Sequence, residues 1–242
     1  MNYKIFSIGE NALTIDFGNA ISIDLNNKVL QLAEFIEQNN FFGFIELVPA
    51  YSSLTIFYDL ITVRKKFTQF PNAFSAVQNF VETSLKNLPK IKKHKSRLIK
   101  IPVCYDAKFA LDLEFVAQNV NLTTNEVIKI HTSKIYRVFM IGFLPAFAYL
   151  GELDEKIVSP RQTSPRINIE KGSVGIAGKQ TGIYPLDSPG GWQIIGKTPF
   201  EMFQPENEQI SFLQTGDTVQ FYEINIRDFE KQSKIQNLKS KI

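Results

Sequence analysis

Cysteine occurs once in this 242-residue chain, at Cys104, so no internal disulfide can form and a single thiol excludes thiolate zinc and iron–sulfur centres. Histidine is nearly as scarce, with His94 and His131 alone, which removes a histidine-rich metal site; no bound metal is expected, and metal chemistry would have to rest on carboxylates. Long apolar runs are missing too. The longest, Val138 to Leu150, is interrupted by Gly142 and Pro145 and falls short of the roughly 20 residues of a membrane helix, so no membrane association is expected. The start, Met1 to Gly9, lacks a basic segment followed by an apolar core; it does not read as a signal peptide, and a cytoplasmic location is expected. The sequon Asn121-Leu-Thr123 is then without consequence.

With 44% hydrophobic and 21% charged residues, the composition is that of a soluble globular protein of one large or two modest domains. At this length roughly 70 to 75% of the unfolded chain's surface is buried on folding, so a core needs no staple. The net charge is +3, and its surplus is local: Lys86, Lys90, Lys92, Lys93, Lys95, Arg97 and Lys100 lie close together. The run has no interleaved aromatics and follows the helix-stopping Pro89, so it reads as a solvated interdomain linker over 91–97; no nucleic acid partner is expected.

Residues 1–90 mix short strands with two amphipathic helices. Tyr3 to Ile8 and Ala12 to Phe17 alternate as a hairpin around Gly9-Glu10-Asn11. Val29, Leu32, Ala33 and Ile36 repeat at helical spacing behind a cap at Asn26 or Asn27. Phe44 to Val48 and Leu54 to Tyr58 are strands, and a helix runs from about Asn72 to Leu88. This order predicts an α+β fold opening with a ferredoxin-like sandwich. From residue 98 to 227 a strand (Leu98 to Val103) and two helices (Ala110 to Val120, Thr124 to Thr132) precede a change of character. Nine of the 13 glycines and seven of the 11 prolines lie between Gly142 and Pro205. Such punctuation allows short strands, among them Arg166 to Ile169, Ser173 to Ala177 and Gln193 to Ile195, in a β-barrel or sandwich with long loops. Glu208 to Phe212 and Thr218 to Glu223 would close it, and 228–242 is a marginal terminal helix or tail.

Gly172-Ser-Val-Gly-Ile-Ala-Gly178-Lys179 has the outline of a phosphate loop but not its spacing: Ser173 and Gln180 stand where a glycine and a Ser or Thr are needed. Barrel-corner geometry is the better reading. The richer set is Arg161, Arg166, Gln180, Tyr184, Ser188, Trp192 and Lys197, all in the loop-rich region. Arginine forks match carboxylates in bidentate fashion and an aromatic wall would hold a planar ligand. Equally, the arginines could make ion pairs and Tyr184 and Trp192 belong to the core. His131, at a helix end where the dipole favours an imidazolium, is a candidate general base or a structural histidine. Cys104 reads as a buried apolar residue. No nucleophile motif is present, and no catalytic residue can be named.

Taken together, Gly142-Phe-Leu-Pro-Ala-Phe-Ala-Tyr-Leu-Gly151, Pro160-Arg161, Pro165-Arg166, Gly172 to Gly178, Gln180-Thr-Gly-Ile-Tyr-Pro185, Ser188-Pro-Gly-Gly-Trp192 and Ile195-Gly-Lys-Thr-Pro199 resemble the B-subunit family of bacterial 5-oxoprolinase. That family is also known as allophanate hydrolase subunit 1 and includes Kip-type inhibitors of a histidine kinase. Ala12 to Gly18, Glu46 to Tyr51 and Ser53 to Asp59 extend the resemblance over nearly the whole chain. It implies a cyclophilin-like C-terminal barrel and kinship with the carboxyltransferase domain of urea carboxylase. It further implies ATP-dependent opening of 5-oxoproline to glutamate in company with the A and C subunits of 5-oxoprolinase, the isolated chain being inactive and ATP, with Mg, used by the complex. The alternative it carries is an inhibitor that binds a histidine kinase.

The chain departs from the family pattern at Ala146, in place of glycine, and at Gln162, in place of a second arginine. It also has Lys197 where arginine is usual and Glu170-Lys171 where Pro-Ala is usual.

Overall fold

The computed structural model describes residues 2–89 and 96–239, with side chains described through 235, in two compact units divided between Lys95 and Ser96. Most of the basic run, Lys90 to Lys95, lies outside the described residues.

In the first unit β1 (Lys4–Ser7) and β2 (Ala12–Asp16) form the expected hairpin, pairing Lys4 with Asp16 through Ser7 with Leu13. α1 (Ile23–Gln38) follows, then β3 (Phe44–Pro49), β4 (Ser53–Tyr58), α2 (Leu60–Lys66) and α3 (Ala73–Asn87). The sheet order is β1-β2-β4-β3, antiparallel throughout. This is the ferredoxin-like sandwich with one change of order: β1, preceding the first βαβ unit, takes the edge place beside β2 that a strand after the second helix usually takes. Alternation directs Leu13, Ile15, Leu54, Ile56 and Tyr58 against Val29, Leu32, Ile36, Val77 and Val81, all buried. Full burial of such side chains stabilises by roughly 1.5–3 kcal/mol each.

α1 starts earlier than its periodicity predicts, behind Ser22. Asn26 is not its cap. It is wholly buried, and its amide donates to the Ala50 carbonyl (3.3 Å), tying the helix to the β3–β4 turn. α3 starts as expected behind Asn72, whose side chain accepts from the Ser75 N–H (2.8 Å). α2 was not legible. Its seven residues are too short for a periodic pattern, and Asp59 caps it by accepting from the Thr62 N–H.

The second unit is a closed barrel. Its elements are β5 (Leu98–Cys104), α4 (Leu113–Asn119), α5 (Thr124–Ser133), β6 (Ile135–Ile141), β7 (Ala148–Gly151) and β8 (Arg166–Ile169). β9 (Ser173–Ala177), β10 (Gln180–Ile183), β11 (Ser188–Gly190), β12 (Gln193–Lys197), β13 (Thr218–Ile224) and α6 (Ile226–Lys239) complete it. The barrel order is β10-β7-β6-β13-β5-β12-β9, with β8 and β11 as a separate two-stranded ladder. β13 runs parallel to β5, Thr218 opposite Leu98 through Ile224 opposite Cys104, and this pairing knits the C-terminal strand to the domain's first one. Arg97 is already part of this unit, gripping buried Asp217 with both Nε (2.8 Å) and Nη2 (2.6 Å).

Two expectations are corrected. Glu208 to Phe212 is no strand; apart from an isolated Phe203–Ser211 bridge it is loop, because the polar Glu206 to Gln209 run offers no alternating face. The helix expected from Ala110 begins at Leu113, since Asp106 to Ala110 is used by turns onto the Asp106 carbonyl. The Thr123–Glu126 capping box is present, Glu126 accepting from the Thr123 N–H at 2.8 Å and Thr123 accepting from the Glu126 N–H at 3.3 Å.

Candidate functional site

Asp112 sits at the start of α4, but its carboxylate does not cap that helix. It turns toward the segment before β8. Arg166 donates Nη1 to Oδ2 (2.8 Å) and Nη2 to Oδ1 (2.6 Å), Gln162 Nε2 donates to Oδ1 (3.1 Å), and the Ile194 N–H donates to Oδ2 (2.6 Å). Four donors on two oxygens fill the acceptor capacity of this buried carboxylate. The network extends sideways. Gln162 N–H donates to the Gly191 carbonyl (2.8 Å), and Gln193 Nε2 donates to the Pro160 carbonyl (3.0 Å). Residues 160–166 are thereby pinned to α4 and β12.

Beside this segment lies an aromatic cluster of Phe147, Tyr184 and Trp192 with Ile169, Ala177 and Ile194, flanked by Tyr149 and Leu144. Phe147 meets Tyr149, Tyr184 and Trp192 edge-on at centroid distances of 4.9, 5.3 and 5.4 Å. Burial pushes the Tyr149 phenol up and the positive charge of Arg161 pulls it back; Tyr184 is raised by burial and lowered by a backbone hydrogen bond at Trp192 and by the charges of Arg161 and Arg166. Gly190 has to be glycine here, because a Cβ would lie 2.3 Å from the Tyr184 hydroxyl. Phe143, 64% exposed, packs edge-on against Phe147 and forms the outer rim.

The sequence candidates therefore divide. Arg161, Arg166, Tyr184 and Trp192 lie in one region, with Tyr184 and Trp192 as wall and core at once, and Gln162, not a candidate from sequence, joins them through Asp112. Ser188 is buried on β11, opposite Ile169, its hydroxyl turned to the Pro189 carbonyl (3.2 Å). Lys197 is elsewhere: at the far end of β12 it pairs with Glu170 and lies 5.7 Å over the Phe109 ring. Gln180 lies at the tip of the β9–β10 hairpin, opposite Ala177.

His131 is inside the barrel with no exposed surface, stacked on Phe221 at 4.6 Å. Thr181 Oγ1 gives its proton to the Gly175 carbonyl (3.0 Å), so His131 Nε2–H donates to Thr181 Oγ1 (3.0 Å) and the Tyr105 hydroxyl donates to Nδ1 (2.7 Å). Burial lowers its pKa to about 3, which overrides the helix dipole expected to favour the imidazolium. A neutral, doubly bonded ring without solvent contact has no path to a substrate proton.

The glycine-rich run 172–178 is strand β9 with its turns. Gly175 is tightly packed, a Cβ there coming within 3.1 Å of Trp192 Cβ, which is a matter of strand packing and not of phosphate binding. Asp112, the centre of the site, was missed from sequence. Its partners lie 54 and 82 residues away in the chain, and no local motif marks it.

Fold and site define a two-domain protein: a ferredoxin-like sandwich followed by a closed barrel, with a braced arginine loop beside an aromatic wall. The chain belongs to the family of the carboxyltransferase domain, subdomains C and D, whose family model matches residues 3–213. It is 42% identical over 238 residues to the 5-oxoprolinase B subunit of Bacillus subtilis (strain 168), covering 98% of this chain and 99% of that one. To the 5-oxoprolinase B subunit of Escherichia coli O157:H7 it is 33% identical over 219 residues, 90% and 94% of the two chains. Among solved structures, TTHA0988 superposes with a TM-score of 0.76 at 32% identity over 88% of this chain, which spans only 40% of that longer one.

Proposed function

We propose that this chain is the B subunit of an ATP-dependent 5-oxoprolinase that opens 5-oxo-L-proline to L-glutamate together with the A and C subunits in the cytoplasm. The observation that carries the reading is the end-to-end likeness to B-subunit relatives. Relatives that are subunits imply partners, and the chain alone is expected to be inactive.

The chemistry suits the site. A lactam is a resonance-stabilised amide, so phosphorylating its oxygen with ATP prepares the ring carbon for attack by water. The remaining task is to hold a small, flat acid still while this happens, and a pinned loop bearing arginines beside an aromatic wall is suited to it. We assign ATP and its Mg to the partner subunits, because the one glycine-rich run of this chain is engaged in strand packing. The experiment is reconstitution. Glutamate formed from 5-oxoproline by the A, B and C subunits, and lost when this chain is left out, supports the reading; an active A and C pair without it removes the reading.

A further inference from the structure

We infer that Arg161, and not Arg166, is the contact for a ligand carboxylate on this chain, and that Asp112 and Arg166 form the brace that holds the Arg161 loop. This rests on the oxoprolinase reading, deepens it, and names the group that would recognise the acid.

Arg161, in the loop, and Arg166, at the start of β8, are in opposite electrostatic situations. Arg166 is 28% exposed in its side chain, and both arms of its fork are engaged by a carboxylate that already accepts two further hydrogen bonds. Its charge is already neutralised by Asp112, and turning the fork to a ligand carboxylate in the same bidentate fashion would leave that buried charge unpaired. Arg161 is exposed and has no carboxylate partner among the described residues. The next residue, Gln162, donates its N–H to the Gly191 carbonyl (2.8 Å), which sets the Arg161 backbone beside Trp192 of the aromatic cluster.

Its mount is also rigid. The preceding carbonyl, Pro160 O, accepts from Gln193, and the following amide, Gln162 N–H, donates to Gly191, while the Gln162 side chain reaches Asp112. An exposed guanidinium on a backbone fixed on both sides loses less freedom on binding than one on a mobile loop. Tyr149 is half-buried and Phe143, packed on Phe147, is exposed, so the cluster offers apolar surface to a small flat ring.

Trp192 is the only tryptophan and stands 6.0 Å from the Tyr149 ring, so its fluorescence reports on this face. The test is to titrate the full chain with L-5-oxoproline and with 2-pyrrolidone, the same lactam without the carboxylate. A saturable response in which the acid binds roughly ten-fold or more tightly than the neutral lactam is expected, the size of one charge-assisted pair. R161A should erase that preference, R161K should restore part of it, and R166K should retain it. Preference intact in R161A, or no saturable response to 5-oxoproline in the wild type, overturns the inference. The oxoprolinase reading fails separately, when the reconstituted complex does not turn over 5-oxoproline although the chain still discriminates the acid.

Discussion

Arg166 and Asp112 are joined by two parallel hydrogen bonds of 2.6 and 2.8 Å, and the carboxylate is the buried partner. An arginine that sequence alone marks as a ligand clamp is therefore first a structural group. R166A should destabilise the chain by on the order of 3 kcal/mol, because it strands a buried carboxylate, with the partial exposure of Arg166 moderating the cost. Denaturant unfolding of the variant checks this. An unfolding midpoint unchanged from wild type would show that Asp112 is solvated and that the brace does not exist.

His131 carries a pH dependence of known sign. Its folded pKa of about 3 lies below the ordinary 6.5, so the unfolded chain takes up a proton that the folded chain refuses. The stability it contributes is complete above about pH 6.5 and is lost as the pH falls from there toward 3, at roughly 1.4 kcal/mol per pH unit within that window. Stability measured against pH should show this slope in the wild type and lose it in H131Q. A slope that persists in H131Q would assign it to carboxylates.

Ala146 has a backbone φ of 65°, in the left-handed region where glycine is at ease, and it is buried. A side chain with a Cβ thus stands where the backbone has glycine's conformation. A146G should therefore raise stability by up to about 1 kcal/mol, the steric cost of a Cβ in this region less the entropy of a freer unfolded chain. A lower melting temperature for A146G would mean that the methyl's packing outweighs the strain.

Much of the fold was legible because it is written in local pattern. The β1–β2 hairpin, the strand alternation through Tyr58 and the capping box at Thr123 all depend on residues a few positions apart. Asn26 misled because a capping amide and a buried tether to Ala50 look alike in one dimension. Residues that the resemblance marked singly turn out to be related in space. Glu170 and Lys197 are partners 27 residues apart, with Glu170 exposed, so the pair contributes at most about 1 kcal/mol. The candidate site was legible as a set of residues and not as an arrangement. Tyr184 and Trp192 serve as core, Lys197 points away, and Asp112 became visible only when the barrel brought α4 to β12.

Whether this chain is a working part of an oxoprolinase is decided by ATP-dependent glutamate release from 5-oxoproline, measured on the co-expressed A, B and C subunits. Release by the complete set is expected, with its loss when this chain is omitted and a raised KM for 5-oxoproline with R161A. A complete set that assembles and releases no glutamate, or one that works equally well without this chain, would refute the assignment.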